Sequence, residues 1–350
     1  MTTSTKGRAA NLDLLGVPLS LEPMEARTAP KLPKGPGWQF EPKWDGFRCL
    51  AFRAGDDVEI KAKSGKSLSR FFPEVVANLR SLSLSTFVLD GELVLPIDGT
   101  LSFDALQMRL HPAASRIERL SRETPASLIL FDCLLKKADQ PLLALSFEDR
   151  RAAVETLFAE AGDGEGLLLT PFTRDVGKAE EWLADRHVQV DGVMAKRLDL
   201  PYLPGERAML KVKHLRTADC VVGGFRYETG SRRVGSLLLG LYDGGLLHHV
   251  GFTSGIADHE KSELTKRLEK LIGPPGFTGN APGGPSRWST SRSAEWQPLR
   301  TELVVEVRYD HVTDTRFRHG TKLVRWRPDK APTQCTFEQL PRAETQRALP

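Results

Sequence analysis

The chain has 350 residues, of which 40% are hydrophobic and 27% are charged, a composition typical of a globular protein of about two domains. Its formal net charge of +4 permits a polyanionic partner but does not require one. No apolar run approaches the roughly 18 residues of a membrane span, and the N-terminus lacks a secretory signal, so the sequence predicts a cytoplasmic protein. The cysteines are scattered singly, which argues against a structural zinc site.

Residues 1–37 are rich in proline and are expected to form an extended segment. Beyond them, runs of apolar residues alternate with amphipathic stretches of helical spacing. Strands are predicted at 49–53, 57–60, 87–95 (as a buried strand pair) and 127–134, and helices at 72–82, 147–161 and 178–185. This mixture predicts an α+β domain over residues 38–216 that is built on antiparallel sheets.

The composition changes after His214. Glycine-rich turns separate three β-rich runs, a helix follows, and two more strands come after a Gly/Pro-rich connection. The predicted strands are 219–225, 235–242, 246–252, 301–309 and 323–326, and the helix is 258–272. Five strands and one helix predict a five-stranded OB-fold barrel over residues 217–332. Residues 333–350 form a C-terminal tail without a strong pattern.

The most informative segment surrounds Lys43 and reads Glu-Pro-Lys-Trp-Asp-Gly-Phe-Arg. A lysine must lose its proton to act as a nucleophile, and both desolvation and nearby cations lower the pKa of its amine. Arg48, Lys63, Lys211 and Lys213 supply that positive charge if the fold gathers them, and the same cations can hold phosphates.

Two further features point to an anionic ligand. Lys211 and Lys213 are two residues apart, so on a strand they share one face. Two cations on one face of a buried strand are costly unless an anion meets them, and a triphosphate is such an anion. Gly46 has no side chain and is expected to let a phosphate approach the backbone.

The pattern Lys43-x-Asp45-Gly46-x-Arg48 resembles motif I of the covalent nucleotidyltransferases, the superfamily of DNA ligases, RNA ligases and mRNA capping enzymes. Further elements resemble the family's later motifs and follow in its order: Ala62-Lys63-Ser64-Gly65, Asp90-Gly91-Glu92, Leu130-Phe131-Asp132, Asp191-Gly192-Val193-Met194-Ala195-Lys196, Lys211-Val212-Lys213 and Arg327-Pro328-Asp329-Lys330. The resemblance runs from about residue 21 to residue 330. Residues 207–222 are most similar to those of small bacterial C-type ATP-dependent DNA ligases.

This resemblance implies a nucleotidyltransferase domain (ATP-grasp-like) followed by an OB domain. It implies an enzyme that seals nicks in DNA through a lysyl-AMP intermediate, with ATP as the AMP donor and Mg²⁺ as cofactor. ATP is expected rather than NAD⁺ because the zinc module and nicotinamide-binding extension of the NAD⁺-dependent enzymes are missing. The expected partner is nicked double-stranded DNA, together with repair polymerase or nuclease proteins, and the expected enzyme is a monomer of the bacterial nucleoid.

The resemblance also implies roles for individual residues. The catalytic set is Lys43, Asp45, Arg48, Lys211, Lys213, Arg327, Asp329 and Lys330. The residues expected to contact the nucleotide are Glu41, Lys43, Arg48, Lys63, Glu92, Phe131, Met194, Lys196, Arg207, Lys211 and Lys213. Within that set, the ring of Phe131 is expected to lie on adenine, Met194 to cover the other face, and Glu41 to help select the base.

Glu92 and Asp191 are expected to bind the metal ion. Asp191 stands where most members have glutamate, and its shorter reach favours a contact through water. Asp90 is expected to shape a turn rather than to act in catalysis. The cluster Arg316-Phe317-Arg318-His319 suits contact with a duplex backbone, which is largely electrostatic.

Two other functions fit parts of the sequence. An RNA ligase or a capping guanylyltransferase shares most of these motifs. A nucleic-acid-binding OB protein with an inactive transferase domain is the alternative from another class, and the presence of Lys43, Asp45, Arg48 and Lys330 argues against it.

Overall fold

The structure is a computed structural model that describes residues 12–161, 166–184, 190–214, 216–283, 295–310, 312–313, 315–318 and 320–340. The chain divides into two compact units, the first ending at Lys213 and the second beginning at His214. Within these ranges, none of the helices has the length and apolar character needed to cross a membrane.

The first unit contains eleven described strands and five described α-helices. The strands are β1 (Ala26–Thr28), β2 (Trp38–Pro42), β3 (Phe47–Ala54), β4 (Asp57–Ala62), β5 (Thr86–Val94), β6 (Pro96–Ile97), β7 (Thr100–Leu101), β8 (Ser127–Leu135), β9 (Leu167–Leu169), β10 (Gly192–Arg197) and β11 (Met209–Lys213). The helices are α1 (Pro73–Ser81), α2 (Phe103–Met108), α3 (Ala114–Glu123), α4 (Phe147–Ala161) and α5 (Val176–Ala184). The helix predicted at 147–161 is found, whereas the strand pair predicted at 87–95 is the single strand β5. The last residue of the helix predicted at 178–185 lies outside the described residues.

Two larger sheets organise this unit, one with strand order β4-β3-β5-β8-β9 and one with order β1-β11-β10-β2. The α+β class is confirmed, but the expectation of purely antiparallel sheets is wrong. Strands β8 and β9 pair in parallel, as do β1 and β11. Each of these pairs joins strands that are distant in sequence, so no tight hairpin imposes antiparallel pairing on them.

The central strands of the five-stranded sheet are buried on both faces. Cys49 and Ala51 of β3 pack into one hydrophobic cluster, and Leu50 and Phe52 pack into another. Successive side chains of a strand point to opposite faces, so this division follows from the continuous apolar run of β3. Polar side chains on these strands are therefore placed in a dry environment, where they need partners.

One such partner connects helix α4 to strand β8. The guanidinium of Arg150 donates to both carboxylate oxygens of Asp132, at 2.9 and 3.0 Å, and also to the carbonyl oxygens of Leu145 and Leu200. Both charged side chains are almost completely buried. This ion pair fixes the strand that carries Phe131.

The second unit is built around one antiparallel sheet. Its strands are β12 (Arg216–Tyr227), β13 (Val234–Asp243), β14 (Leu246–Thr253), β15 (Gln297–Pro298), β16 (Val304–Tyr309), β17 (Val312–Thr313), β18 (Arg316–Phe317) and β19 (Lys322–Trp326), and its helix is α6 (Asp258–Glu269). The sheet order is β14-β13-β12-β16-β19, with β15 beside β12. In the described part of the chain β14 and β19 share no ladder, so a closed five-stranded barrel is not confirmed.

Described residues of the predicted N-terminal segment and C-terminal tail pack into the domain cores, which the sequence did not indicate. Leu15 and Val17, in the proline-rich segment, are buried in a core cluster of the first unit. Cys335 and Leu340, in the predicted tail, are buried in the core of the second unit. Isolated apolar residues between prolines or polar residues leave no periodic signal, although they pack well.

We expect Arg150→Met to destabilise the protein by about 3–5 kcal/mol, because it leaves a buried carboxylate without its counter-charge. Burial raises the pKa of Asp132 against the opposing effect of Arg150, so loss of the arginine raises that pKa further. A raised folded-state pKa means that stability is lost as pH rises, and the penalty should therefore be smaller at pH 5 than at pH 8. Urea unfolding of the variant and the wild type at pH 5 and at pH 8 measures this loss of stability.

The matched control is Arg122→Met, which removes an exposed helical ion pair with Glu118. That change should cost less than about 1 kcal/mol. Equal losses in the two variants would contradict a structural role for the buried pair.

Candidate functional site

A cavity of about 270 Å³ in the first unit collects residues that are far apart in sequence. Its wall consists of Pro23, Met24, Glu25, Ala26, Glu41, Pro42, Lys43, Trp44, Arg48, Lys63, Glu92, Phe131, Met194, Lys196, Met209 and Lys211. Nine of the predicted site residues thus line one cavity: Glu41, Lys43, Arg48, Lys63, Glu92, Phe131, Met194, Lys196 and Lys211. They come from strands of both larger sheets and from the loops beside them.

Lys43 follows strand β2, and its backbone is held against the start of β10. Its N–H donates to the carbonyl oxygen of Gly192 at 2.9 Å, and its own carbonyl oxygen accepts from the N–H of Asp191 at 2.7 Å. Gly192 has φ +146°, and a Cβ there would lie 2.1 Å from the carbonyl oxygen of Val212. Only glycine permits this crossing of β10 and β11, which brings Asp191 to the lysine.

The side chain of Lys43 is ion-paired rather than surrounded by cations alone. Its Nζ lies 2.8 Å from Oδ2 of Asp191, and 21% of the side chain is exposed. Burial lowers the pKa of Lys43, but the charges of Asp191, Glu92 and Asp45 raise it, and the net pKa lies above its usual value. The expectation that neighbouring cations lower this pKa is therefore wrong for the nucleotide-free protein.

The cations act on Lys211 instead. Burial lowers the pKa of Lys211, and the positive charges of Lys43, Lys213 and Lys63 lower it further. Lys211 and Lys213 share one face of β11, as their spacing predicts, and both are half-buried. This cluster of like charges creates a site that favours an anion.

Arg48 is oriented by an acid whose role the sequence did not reveal. Its Nε and Nη2 donate to the two carboxylate oxygens of Asp90, at 2.8 and 2.7 Å. The hydroxyl of Tyr202 donates to the same carboxylate at 2.6 Å. Asp90 lies within strand β5 and is fully buried, so the expectation that it shapes a turn is wrong.

Glu92 lies opposite Arg48 on the neighbouring strand. Burial raises the pKa of Glu92 to about 7, although Lys43 and Arg48 pull it down. Burial thus disfavours the ionised form of this carboxylate, and an added cation beside it would stabilise that form, which makes Glu92 a suitable ligand for a metal ion.

Gly46 is required for packing against strand β5. A Cβ at Gly46 would lie 2.1 Å from the carbonyl oxygen of Leu93 and 2.9 Å from Cγ of Glu92. The turn after Lys43 therefore presses directly on strand β5, and this contact sets the separation of Lys43 from Glu92.

Glu41 and Lys196 form a buried pair at the inner end of the cavity. Lys196 Nζ lies 2.6 Å from Glu41 Oε2, and Gln39 donates to the other oxygen at 2.9 Å. The same Nζ lies 4.4 Å from the ring centroid of Phe131, and the guanidinium carbon of Arg48 lies 4.8 Å from the same centroid. Lys196 is thus engaged by Glu41 and by an aromatic face, so its expected contact with nucleotide phosphate requires that this pair open.

The outer end of the cavity contains an acid that the sequence did not indicate. Glu25 lies 2.8 Å from Nζ of Lys63 and 3.6 Å from Nε of Arg207. Both basic side chains are mostly exposed. Glu25 stands in the proline-rich segment, without a motif that could have identified it.

The basic residues predicted near the C-terminus lie in the second unit, around another unexpected acid. Arg327 donates to both oxygens of Asp219, at 2.9 and 3.0 Å, and Lys330 donates to one of them at 2.7 Å. Asp329 also accepts from Arg327, and this hydrogen bond lowers the pKa of Asp329 to about 2. Asp219 directly precedes the apolar run that begins at Cys220, and an acid at the edge of such a run was the only hint of it in the sequence.

The predicted basic-aromatic cluster is only partly an exposed surface. Arg316 contacts the ring of His249 at 3.1 Å, and Phe317 is buried in the core of the second unit. His319 lies outside the described residues.

We expect Glu92→Gln to change how stability depends on pH. The folded-state pKa of Glu92 is raised from 4.5 to about 7, so its contribution to stability is fully present below about pH 4.5 and is lost as pH rises through 7. Glutamine cannot ionise, and the variant should therefore gain stability relative to the wild type between pH 5 and pH 8. Urea unfolding of the nucleotide-free proteins tests this, and a stability difference that stays constant over that range would contradict it.

The family of the chain follows from two sequence models. Residues 23–213 match the ATP dependent DNA ligase domain, and residues 230–330 match the ATP dependent DNA ligase C terminal region. The cavity and its lining residues lie in the first match, and Arg327, Asp329 and Lys330 lie in the second.

Individual relatives agree with these matches. DNA ligase C2 of Mycolicibacterium smegmatis is 44% identical over 91% of this chain and 94% of its own length. The multifunctional non-homologous end joining DNA repair protein LigD of Mycobacterium tuberculosis is 32% identical over 87% of this chain but only 38% of its own length. The solved structure of a Lig E DNA ligase has the same fold, with a TM-score of 0.55 and 17% identity over 88% of this chain and all of that one. The chain belongs to the ATP-dependent DNA ligase family and is similar to the small bacterial C-type enzymes.

Proposed function

We propose that this ATP-dependent DNA ligase seals nicks through an adenylate carried by Lys43. The observation that supports this most strongly is the position of the Lys43 amine in the cavity wall, 2.8 Å from Asp191, in a wall that also contains Arg48, Lys63 and Lys211. Attack on a triphosphate requires a nucleophile, a carboxylate that can accept its proton and several cations that bind the phosphates.

The first step joins the nucleotide to the enzyme. The Nζ of Lys43 attacks the α-phosphorus of ATP, the phosphorus–nitrogen bond forms, and the bond to pyrophosphate breaks. Because the amine must be neutral when it attacks, it gives up a proton that Asp191 Oδ2 is placed to accept. Lys63, Lys211 and Lys213 hold the phosphates, and Arg48, oriented by Asp90, holds the nucleotide near Phe131.

The next two steps act on DNA. An oxygen of the 5′-phosphate at the nick attacks the phosphorus of the adenylate, and the bond to Lys43 breaks. The 3′-hydroxyl then attacks the 5′-phosphate and releases AMP, which closes the strand. The basic side chains that bind the triphosphate are available again for phosphate in both steps.

The acids of the cavity fit Mg²⁺, the cofactor expected for the family. Among the described residues no group of three or more His, Cys, Asp or Glu side chains forms a complete metal site. Mg²⁺ is usually bound by one or two carboxylates together with substrate phosphates and water, and Glu92 and Asp191 are two of the three carboxylates that act on Lys43. When bound there, the ion neutralises phosphate charge.

We assign the second unit to the OB type and residues 327–330 to the adenylation step. The sheet order β14-β13-β12-β16-β19, with α6 between β14 and β16, supports the OB assignment. Arg327 and Lys330 are held together by Asp219, so a pyrophosphate group that replaces this carboxylate would meet both cations at once.

We assign the enzyme to DNA repair in the bacterial nucleoid, acting as a monomer on nicked duplex DNA. The similarity to LigD, whose name places it in non-homologous end joining, supports this pathway class and supports repair polymerase or nuclease proteins as partners. The proposal also keeps the predicted domain limits, with the nucleotidyltransferase domain at 38–216 and the OB domain at 217–332.

Lys43→Ala should abolish covalent labelling by ATP that carries a radiolabel on its α-phosphate, because no amine remains to form the phosphorus–nitrogen bond. Binding of nicked DNA should change less than about threefold, since one cation among several is lost. The matched control is Lys66→Ala, an exposed lysine on a nearby loop, which should label normally. A Lys43→Ala protein that still seals nicks would show that the nucleophile is another group.

The choice of nucleotide separates the ligase from a capping guanylyltransferase or RNA ligase. The wild type should retain label from ATP after denaturation, and should not retain it from GTP. A parallel sample of labelled enzyme that is kept folded should seal a DNA–DNA nick without added nucleotide. Retention of label from GTP alone, or sealing confined to RNA strands, would favour the other members of the superfamily.

A further inference from the structure

Glu25 is an acid in the cavity wall that lies among the cations expected to bind the nucleotide phosphates. It lies beside Lys63 and Arg207 and shares the wall with Lys43 and Lys211. An acid at this place opposes the binding of a triphosphate, because it occupies two of the cations and repels the phosphates. Its presence therefore needs an explanation beyond packing.

Backbone hydrogen bonds hold Glu25 in position beside these cations. The N–H of Glu25 donates to the carbonyl oxygen of Glu206 at 2.7 Å, and the N–H of Met209 donates to the carbonyl oxygen of Glu25 at 3.1 Å. Strand β1 then continues in parallel with β11, with Thr28 opposite Lys211. The acid is thus anchored to the same segment that carries Arg207 and Lys211.

Glu25 is ionised, and another anion can replace it in its ion pairs. The hydrogen bond from Lys63 is the main cause of a lowered pKa for Glu25, so the carboxylate is ionised at neutral pH. The side chain of Lys63 is 58% exposed and that of Arg207 is 74% exposed. Ion pairs of such exposure are weak and reorganise easily when a stronger anion arrives.

We propose that Glu25 is an internal counter-anion that stands in for the nucleotide phosphates. In the nucleotide-free enzyme it holds Lys63 and Arg207 and acts on Lys211 through its charge. The triphosphate displaces it from these cations, and it returns to them as pyrophosphate leaves. This inference rests on the proposed function and adds a positioning residue to it: Glu25 weakens the enzyme's hold on both ATP and pyrophosphate.

The test is Glu25→Gln, which keeps the size of the side chain and removes its charge. The KM for ATP in the adenylation step should fall about 3–10-fold, and the inhibition constant of pyrophosphate should fall by a similar factor. The maximal rate of adenylation should stay within about twofold, because Glu25 does not contact Lys43. An altered packing role would instead change the melting temperature and leave the KM for ATP unchanged.

Glu22→Gln is the matched control, since Glu22 is an exposed acid of the same segment. It should keep the wild-type KM. A second comparison places Glu25→Gln in a Lys63→Met background, where the gain in ATP affinity should be much reduced because the cation that Glu25 occupies is missing. Glu25→Asp keeps the charge and should stay close to the wild type.

The outcomes separate this inference from the proposed function. A wild type that forms no covalent adenylate from ATP contradicts the proposed function. An active wild type with an unchanged or raised KM in Glu25→Gln overturns the counter-anion role alone. A raised KM would mean that Glu25 orients the cations for the nucleotide.

Discussion

The site depends on how the charges around one amine are balanced. Lys43 is held between acids, with Asp191 in direct contact and Glu92 and Asp45 acting through their charge, so its proton is retained until something changes that balance. In the proposed mechanism, the metal ion that accompanies the nucleotide offsets the negative charge of these acids, whereas the nucleotide phosphates offset the positive charge of Lys211. The nucleotide-free enzyme therefore favours a protonated Lys43, and in the proposed mechanism the bound nucleotide and metal ion shift the balance of charge before the amine attacks.

This balance is possible because the fold imposes it through backbone contacts. Gly46 and Gly192 are two positions beside Lys43 where a Cβ would collide with a neighbouring strand, and they set the approach of the Lys43 loop to β5 and to β10. The bidentate pair of Arg48 with Asp90, closed by Tyr202, holds one cation in a buried orientation. A rigid frame of this kind keeps the charged groups close together despite the cost of burying them.

The sequence was most informative where local pattern decides the structure. Periodicity and the family resemblance predicted the helix at 147–161, the common face of Lys211 and Lys213, and the gathering of Lys43, Lys63, Lys196 and Lys211 in one cavity. The parallel pairs β1–β11 and β8–β9 were not predictable, because they join strands that local pattern does not relate.

The acids that pair with the basic site residues could not be predicted from the sequence for a related reason. Asp90, Glu25 and Asp219 each pair with a residue at least 38 positions away, and such partners leave no spacing signal in one sequence. The raised pKa of Lys43 was hidden as well, since it depends on which charges the fold brings nearest. The sequence thus identified candidate groups for binding the substrate, whereas the structure revealed the acids that pair with those groups.

The most direct measurement is to locate the adenylate. After incubation with ATP and Mg²⁺, proteolysis under mildly alkaline conditions that preserve the acid-labile phosphorus–nitrogen bond, followed by mass spectrometry, should place AMP on the peptide that contains Lys43. Acid treatment should then remove it. AMP on Lys196, Lys211 or any other residue of the cavity, with Lys43 unmodified, would contradict the account.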